Sequence, residues 1–154
     1  MLYNAQKHVI FAITLLLGLT VQGDDIVAKV INAEASDMCS NMERILVASV
    51  INNRIGHKGF YSLDNAEHVV TYPNAFTAYG DTNNMNWNSS YISEHAKSLS
   101  KSIKNGAFKG MKGIHFFVTK GTKLPSHYYS KKYWKINKTV HTKHFTFYGI
   151  IARK

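Results

Sequence analysis

One glutamate stands inside an apolar helical stretch. In "VINAEASDM", residues 30–38, Glu34 sits among Val30, Ile31, Ala33 and Ala35. It lies four residues after Val30 and three after Ile31, on the face that Ile26, Val27, Val30 and Ile31 bury at i, i+1, i+4, i+5 spacing. A carboxyl in such a place loses hydration when it ionises, so its pKa rises from about 4.3. It then becomes a usable proton donor near neutral pH. Glycoside cleavage needs such a donor on the leaving oxygen, usually with a second carboxylate to stabilise or attack the cation. Past the Asp24–Asp25 pair, the remaining acids are Asp37, Glu43, Asp64, Glu67, Asp81 and Glu94. Glu43 fits a capping box, and Asp64, Glu67 and Glu94 read as exposed helix residues. Asp81 is left as the plausible second carboxylate, and a one-carboxylate mechanism stays open. A purely structural role also stays open, in which Glu34 ends its helix and reaches water, Arg44 or Arg54.

Other residue types carry weaker signals. Cys39 is the single cysteine, so no internal disulfide forms and the fold must stand on its core. It falls in "SDMCSNM", a polar connection, and reads as a structural thiol ahead of a nucleophile. His115, His127, His141 and His144 fit no standard zinc spacing, and no metal site is expected. Asn88 and Asn137 open N-x-S/T sequons, which matter only in a eukaryotic secretory route.

The elements that must position Glu34 follow from periodicity and punctuation. Asp24 and Asp25 are N-cap candidates for a helix running to about residue 35. Ser40 and Glu43 form the S-x-x-E capping box of a second helix, which stops near Gly56 and Gly59. A short third helix is predicted at "LDNAEHVV", capped by Ser62. Residues 71–90 read as a long ordered loop, or a loop with short strands, with Tyr72, Phe76, Tyr79 and Trp87 in it; such loops in compact domains are usually functional. A fourth helix spans about 91–104, with Ile92, Ala96, Leu99 and Ile103 on its inner face. "IHFFVT" and "KHFTFYGIIAR" read as strands, and "KLPSHYYSKKYWKINK" between them as a basic, aromatic loop. Helices followed by strands make the fold class α+β, in one domain.

The chain of 154 residues carries 19 Lys and Arg against 9 acids, a formal charge of +10. That suits an anionic partner: nucleic acid, an acidic glycan or an anionic lipid surface. At the start, Lys7 and His8 precede the apolar run Val9–Val21, short of the ~20 residues a membrane-spanning helix needs. Basic, apolar, then small residues read as a secretory signal over 1–23, cut between Gly23 and Asp24. The expected domain is then 24–154, exported, with no stable membrane span after cleavage.

"VAKVINAEAS", "ILVASVINNRI", "YPNAFTAY", "GIHFFV" and the late "KHFTFY" together resemble the SleB-type cell wall hydrolases, in the family's order and over roughly residues 26–148. The resemblance implies a compact domain like the lysozymes and lytic transglycosylases, mainly helical with a small sheet. It implies a single catalytic glutamate at Glu34, no cofactor, and peptidoglycan glycan strands as substrate, cut between N-acetylmuramic acid and N-acetylglucosamine. It places the protein as secreted, periplasmic or wall-associated, with its lysines toward the anionic wall and no nucleic acid partner. Tyr72, Phe76 and Thr77 are then the expected substrate loop: aromatic faces pack on sugar C–H surfaces and a hydroxyl orients an N-acetyl group; for Phe76 a core plug beneath the loop is an equal expectation. His144 matches the family's late histidine and is expected either in the groove near Glu34 or as a satisfied structural histidine. Trp87, Tyr128, Tyr129, Tyr133 and Trp134 are candidates for distal subsites, with packing the stronger expectation for each alone. The chain departs from the family pattern at "MKGIHFF", where Gly113 stands alone, at "VTK", and at "HFTFY". These departures fall on the far wall of the groove and leave Glu34 untouched. Two rivals fit the same composition: a secreted basic ribonuclease using two histidines, and a non-catalytic wall-binding module.

Overall fold

The computed structural model describes residues 25–123 and 134–152. The segment read as a signal, and His127, Tyr128, Tyr129 and Tyr133, lie outside them. Helix α1, Ile26–Glu34, starts at Asp25, whose Oδ1 accepts from the N–H groups of Val27 and Ala28 at 3.1 Å each. Asn32 is the polar exception on its buried side. Its Oδ1 accepts from Ser93 N at 3.1 Å, which fixes α1 to the start of the last helix.

Helix α2, Asn41–Arg54, has the capping box as predicted: Glu43 N donates to Ser40 Oγ at 3.2 Å, and Ser40 N to Glu43 Oε2 at 2.9 Å. Leu46, Val47, Ala48, Val50 and Ile51 are buried, making α2 the centre of the core. Burying each of the larger aliphatic side chains contributes roughly 1.5–3 kcal/mol. The helix ends at Arg54, and Gly56 turns the chain at φ +66, a conformation open to glycine without a Cβ penalty. A 3₁₀ turn follows at Lys58–Phe60.

Helix α3, Ala66–Thr71, is shorter than predicted, and its N-cap is Asn65, not Ser62. Asn65 Oδ1 accepts from His68 N at 2.8 Å, while Ser62 lies at φ +52, outside cap geometry. A four-residue helix α4, Met85–Asn88, interrupts the long loop, and α5 runs Glu94–Lys104 from its N-cap Ser93. Lys104 Nζ reaches Asp25 and Glu67 at 3.0 Å each, clasping α1, α3 and α5 together.

Three strands close the chain: β1 Phe116–Thr119, β2 Trp134–His141 and β3 Phe145–Ala152. The sheet is antiparallel in the order β1-β3-β2, with Phe116 opposite Tyr148 and Val140 opposite Phe147. Strand β2 corrects the sequence expectation, which left Trp134–Lys138 in a loop. Its inward positions are Trp134, Ile136, Lys138 and Val140. Lys138 breaks the apolar alternation and sends its ammonium back to the Lys112 carbonyl at 3.2 Å. Phe145 and Phe147 carry the sheet onto the helical core. Helices and a small sheet form one α+β arrangement, in agreement with the fold class read from the sequence.

Candidate active site

Glu34 is the last residue of α1, and its side chain is half-buried. The helix delivers it to the loop that follows α3. There Glu34 Oε1 accepts the backbone N–H of Ala78 at 2.8 Å, and Thr77 Oγ1 donates more weakly at 3.4 and 3.5 Å to the two oxygens. Burial pushes the carboxyl above its ordinary pKa. The hydrogen bonds from Ala78 and Thr77 and the charge of Arg54 pull the other way and do not cancel it. With Oε1 engaged by Ala78, Oε2 is the less engaged of the two oxygens.

The loop is held by Arg54, from the end of α2. Its Nε donates to the His115 carbonyl at 2.7 Å and its Nη1 to the Ala75 carbonyl at 3.0 Å. Its guanidinium lies 4.7 Å from the Phe60 ring centre and 4.8 Å from that of Phe76. A cation between two rings and two carbonyls is a rigid strut, and it fixes residues 75–78 against Glu34. Arg44 holds the backbone just past Glu34: its Nε donates to the Ala35 carbonyl at 3.2 Å and its Nη2 to the Ser36 carbonyl at 3.0 Å. The sequence offered either arginine as a direct partner for Glu34. The fold uses Arg44 on the backbone just past it and Arg54 on the loop opposite.

Aromatic side chains occur in the segments next to this centre. Tyr79, next to Ala78, and Trp87 meet edge to face at 5.4 Å, with Lys29 of α1 over the Trp87 ring at 4.7 Å. A cleft of about 300 Å³ opens between the 3₁₀ turn and residues 72–75, with Arg54 in its wall. Tyr72 lines that cleft, Thr77 touches Glu34, and Phe76 is buried at 5 % exposure. Phe76 packs near Arg54 and Phe117, so its ring anchors the loop from beneath. Asp81 accepts from Asn83 N at 2.9 Å, closing a turn in the loop.

His144 is brought to a different glutamate. Its Nδ1 lies 3.0 Å from Glu43 Oε2, and its backbone N–H donates to Glu43 Oε1 at 2.8 Å. Thr142 Oγ1 donates to the same oxygen at 2.7 Å. Glu43 is 1 % exposed. Burial would raise its pKa, but the donors from Ser40, His144 and Thr142 outweigh that and hold it well below the usual carboxylate range. The turn between β2 and β3 is thereby clasped to the start of α2. Sequence reasoning saw only the capping half of Glu43. The clasp joins residues about a hundred apart and leaves no local pattern.

Cys39 joins this cluster: donor atoms of Cys39, Glu43 and His144 all lie within 4.8 Å of one another. They are the residues among those described that could hold a metal, a grouping the sequence spacing did not suggest. Both Glu43 oxygens are already taken by protein donors. Burial and the Glu43 charge keep the Cys39 thiol above its ordinary pKa, in its protonated form, a poor state for a ligand or a nucleophile.

A second pair of histidines, His57 and His115, has ring centres 4.5 Å apart. Burial lowers both, His115 to about 4 with the His57 and Arg54 charges adding to it. His115 Nδ1 accepts from Ile150 N at 3.2 Å. Both rings are therefore neutral near pH 7.

Comparison with known proteins adds one finding: the family model described as Cell Wall Hydrolase matches residues 40–148. No curated protein and no solved structure matches the chain. The matched segment includes Arg54, Tyr72, Thr77, Ala78 and His144, and it begins after Glu34.

Proposed function

The chain belongs to the SleB-type family of cell wall hydrolases, and from that premise we propose that Glu34 is the single acid and base with which it cleaves the glycan strand of peptidoglycan. The observation that carries this is the desolvated carboxyl at the end of α1, facing the Ala78 N–H and Thr77 of the matched segment. Its raised pKa favours the protonated carboxyl, the state a general acid needs.

The bond addressed is the one joining N-acetylmuramic acid to N-acetylglucosamine. Glu34 Oε2–H protonates the bridging oxygen as the anomeric C–O bond breaks, leaving an oxocarbenium-like centre on the muramic ring. The carboxylate so formed then removes the proton from the incoming nucleophile. If that is the muramic 6-hydroxyl, the product is a 1,6-anhydro sugar; if it is water, a reducing end. Neither route needs a second carboxylate, which is consistent with Asp81 being engaged at Asn83. The substrate's own acetamido group can share the cationic charge.

The rival readings are less well supported. A ribonuclease needs a histidine pair that gains and loses protons near neutrality. His57 and His115 are neutral there, and His144 faces Glu43. A passive wall-binding module has no use for a desolvated carboxyl beside a backbone N–H. Zymography on purified peptidoglycan with wild type and Glu34→Gln separates the three. Loss of clearing in Glu34→Gln supports the proposal, and retained clearing overturns it. Mass spectrometry of the released muropeptides then distinguishes anhydro from reducing ends. Among the described residues no helix is long and apolar enough to cross a membrane. We infer export by a signal over 1–23, in keeping with a family that is typically extracytoplasmic.

A further inference from the structure

The cleft between the 3₁₀ turn and residues 72–75 is used by none of the chemistry above. It holds about 300 Å³ and is lined by Tyr61, Leu63, Tyr72, Pro73, Asn74 and Arg54, among others. Tyr61 is 70 % exposed, and its ring stacks on Tyr72 with centres 4.5 Å apart and planes 22° apart. Tyr61, Ser62 and Asn74 adopt positive φ at 64, 52 and 60, and they are the residues other than glycine that do so among those described. Such backbone is disfavoured for a bulky residue such as Tyr61, though not for Asn74, and it persists where its surroundings hold it. Here it aims an exposed tyrosine across a cleft, where burial gives nothing in return.

The cleft is tied to Glu34 in two ways. Arg54 is part of its wall and also acts electrostatically on Glu34. Ala75 lines it, and two residues on Thr77 touches the carboxylate. Two residues span at most about 7 Å, so the cleft opens a short step along the chain from the carboxyl.

We propose that this cleft is a sugar subsite, in which the Tyr61–Tyr72 pair is the platform for one N-acetylated hexosamine of the glycan strand and Tyr61 is a specificity-determining residue. This rests on the proposed glycan cleavage at Glu34. Flat aromatic faces suit the C–H side of a pyranose ring, and the Asn74 amide suits its polar edge. The cleft is less suited to an anionic peptide stem, because its cation, Arg54, already spends Nε and Nη1 on the carbonyls of His115 and Ala75.

The test uses the full chain carrying Glu34→Gln, titrated calorimetrically with N-acetylchitotetraose, with and without Tyr61→Asn. Asparagine tolerates the left-handed backbone of position 61, so the ring is lost without new strain. Tyr72→Leu provides a second variant, and circular dichroism melts confirm that each is folded. The expected result is a Kd weaker by about tenfold in either variant. In the Glu34 background, Tyr61→Asn is expected to raise KM on peptidoglycan by a similar factor while kcat stays within about threefold. Unchanged Kd and KM in folded variants overturn the subsite. So does a sugar-free stem peptide that displaces the tetraose, which would assign the cleft to the stem. Failure of the Glu34 reading is seen separately, as cleavage surviving Glu34→Gln while the tetraose still binds through Tyr61.

Discussion

Glu34 and Glu43 are two glutamates nine positions apart whose surroundings push them in opposite directions, and exchanging each for glutamine is expected to have opposite consequences. Glu43 is buried and accepts from Ser40 N at 2.9 Å, Thr142 Oγ1 at 2.7 Å and His144 N at 2.8 Å. Glu43→Gln turns one acceptor oxygen into a donor and leaves at least one of these buried N–H groups facing it. A buried unsatisfied donor costs about 1–3 kcal/mol, and losing bonds to a charged acceptor adds to that. A destabilisation of roughly 3 kcal/mol follows, which for a domain of this size lowers Tm by roughly 10 °C. Activity well below the new Tm is expected to survive, since Glu43 holds the β2–β3 turn and touches no part of the Glu34 site described. Glu34→Gln reverses the pattern. Its amide oxygen still accepts from Ala78, so folding is kept, but the proton is gone, and the rate falls by about 10²–10⁴. The sign of its stability effect follows from the raised pKa. Ionising Glu34 costs more folded than unfolded, so the native state bears a penalty that is absent below about pH 4. The penalty grows as pH rises from there to the folded pKa and is constant above it. Glu34→Gln removes that penalty and is expected to match or exceed wild-type Tm at pH 7.5, with the difference closing at pH 4. Turbidity clearing of peptidoglycan and thermal melts at the two pH values read all of this. An inactive but fully stable Glu43→Gln, or an active Glu34→Gln, would refute the division of roles.

Thr77→Val removes a hydrogen bond that favours the ionised form of Glu34; the alkaline limb of the kcat/KM profile should move to higher pH, with a rate loss under about tenfold. His115 is held neutral with its pKa lowered to about 4, so the unfolded chain takes up its proton first, and this histidine's contribution to stability is lost as pH falls from about 6.5 to 4. In denaturant titrations across that window, His115→Phe should show a flatter slope than wild type, even if it is less stable at pH 7. At Gly149 a Cβ would overlap the Gly113 carbonyl oxygen, so Gly149→Ala is expected to cost about 3 kcal/mol by chemical denaturation. Adsorption of the protein to anionic wall material should weaken as salt rises through 0.5 M, as exposed lysine contacts are screened.

The sequence by itself determined α1, α2 and the body of α5, because each is written locally. The Asp25 cap, the Ser40–Glu43 capping box, the buried stripe of α1 and the glycine stop at Gly56 all act within a turn or two of their own position. It also determined that Glu34 would fall on an apolar face, since helical periodicity alone puts it there. The third helix was misplaced because Ser62 and Asn65 are both acceptable caps by type, and only backbone conformation chose between them. Strand β2 was hidden because a lysine stands at one of its inward positions, and the tertiary structure gives that lysine a carbonyl to reach. What sits opposite Glu34 was decided by tertiary structure alone. The Ala78 N–H, the Arg54 strut under the loop and the Tyr61–Tyr72 cleft beside it come from segments that meet only when α1, α2 and the long loop pack. The same packing sent His144 to Glu43, across about a hundred residues. Hydrogen bonds and desolvation act over a few ångströms of space, and chain order does not record which distant groups will share them.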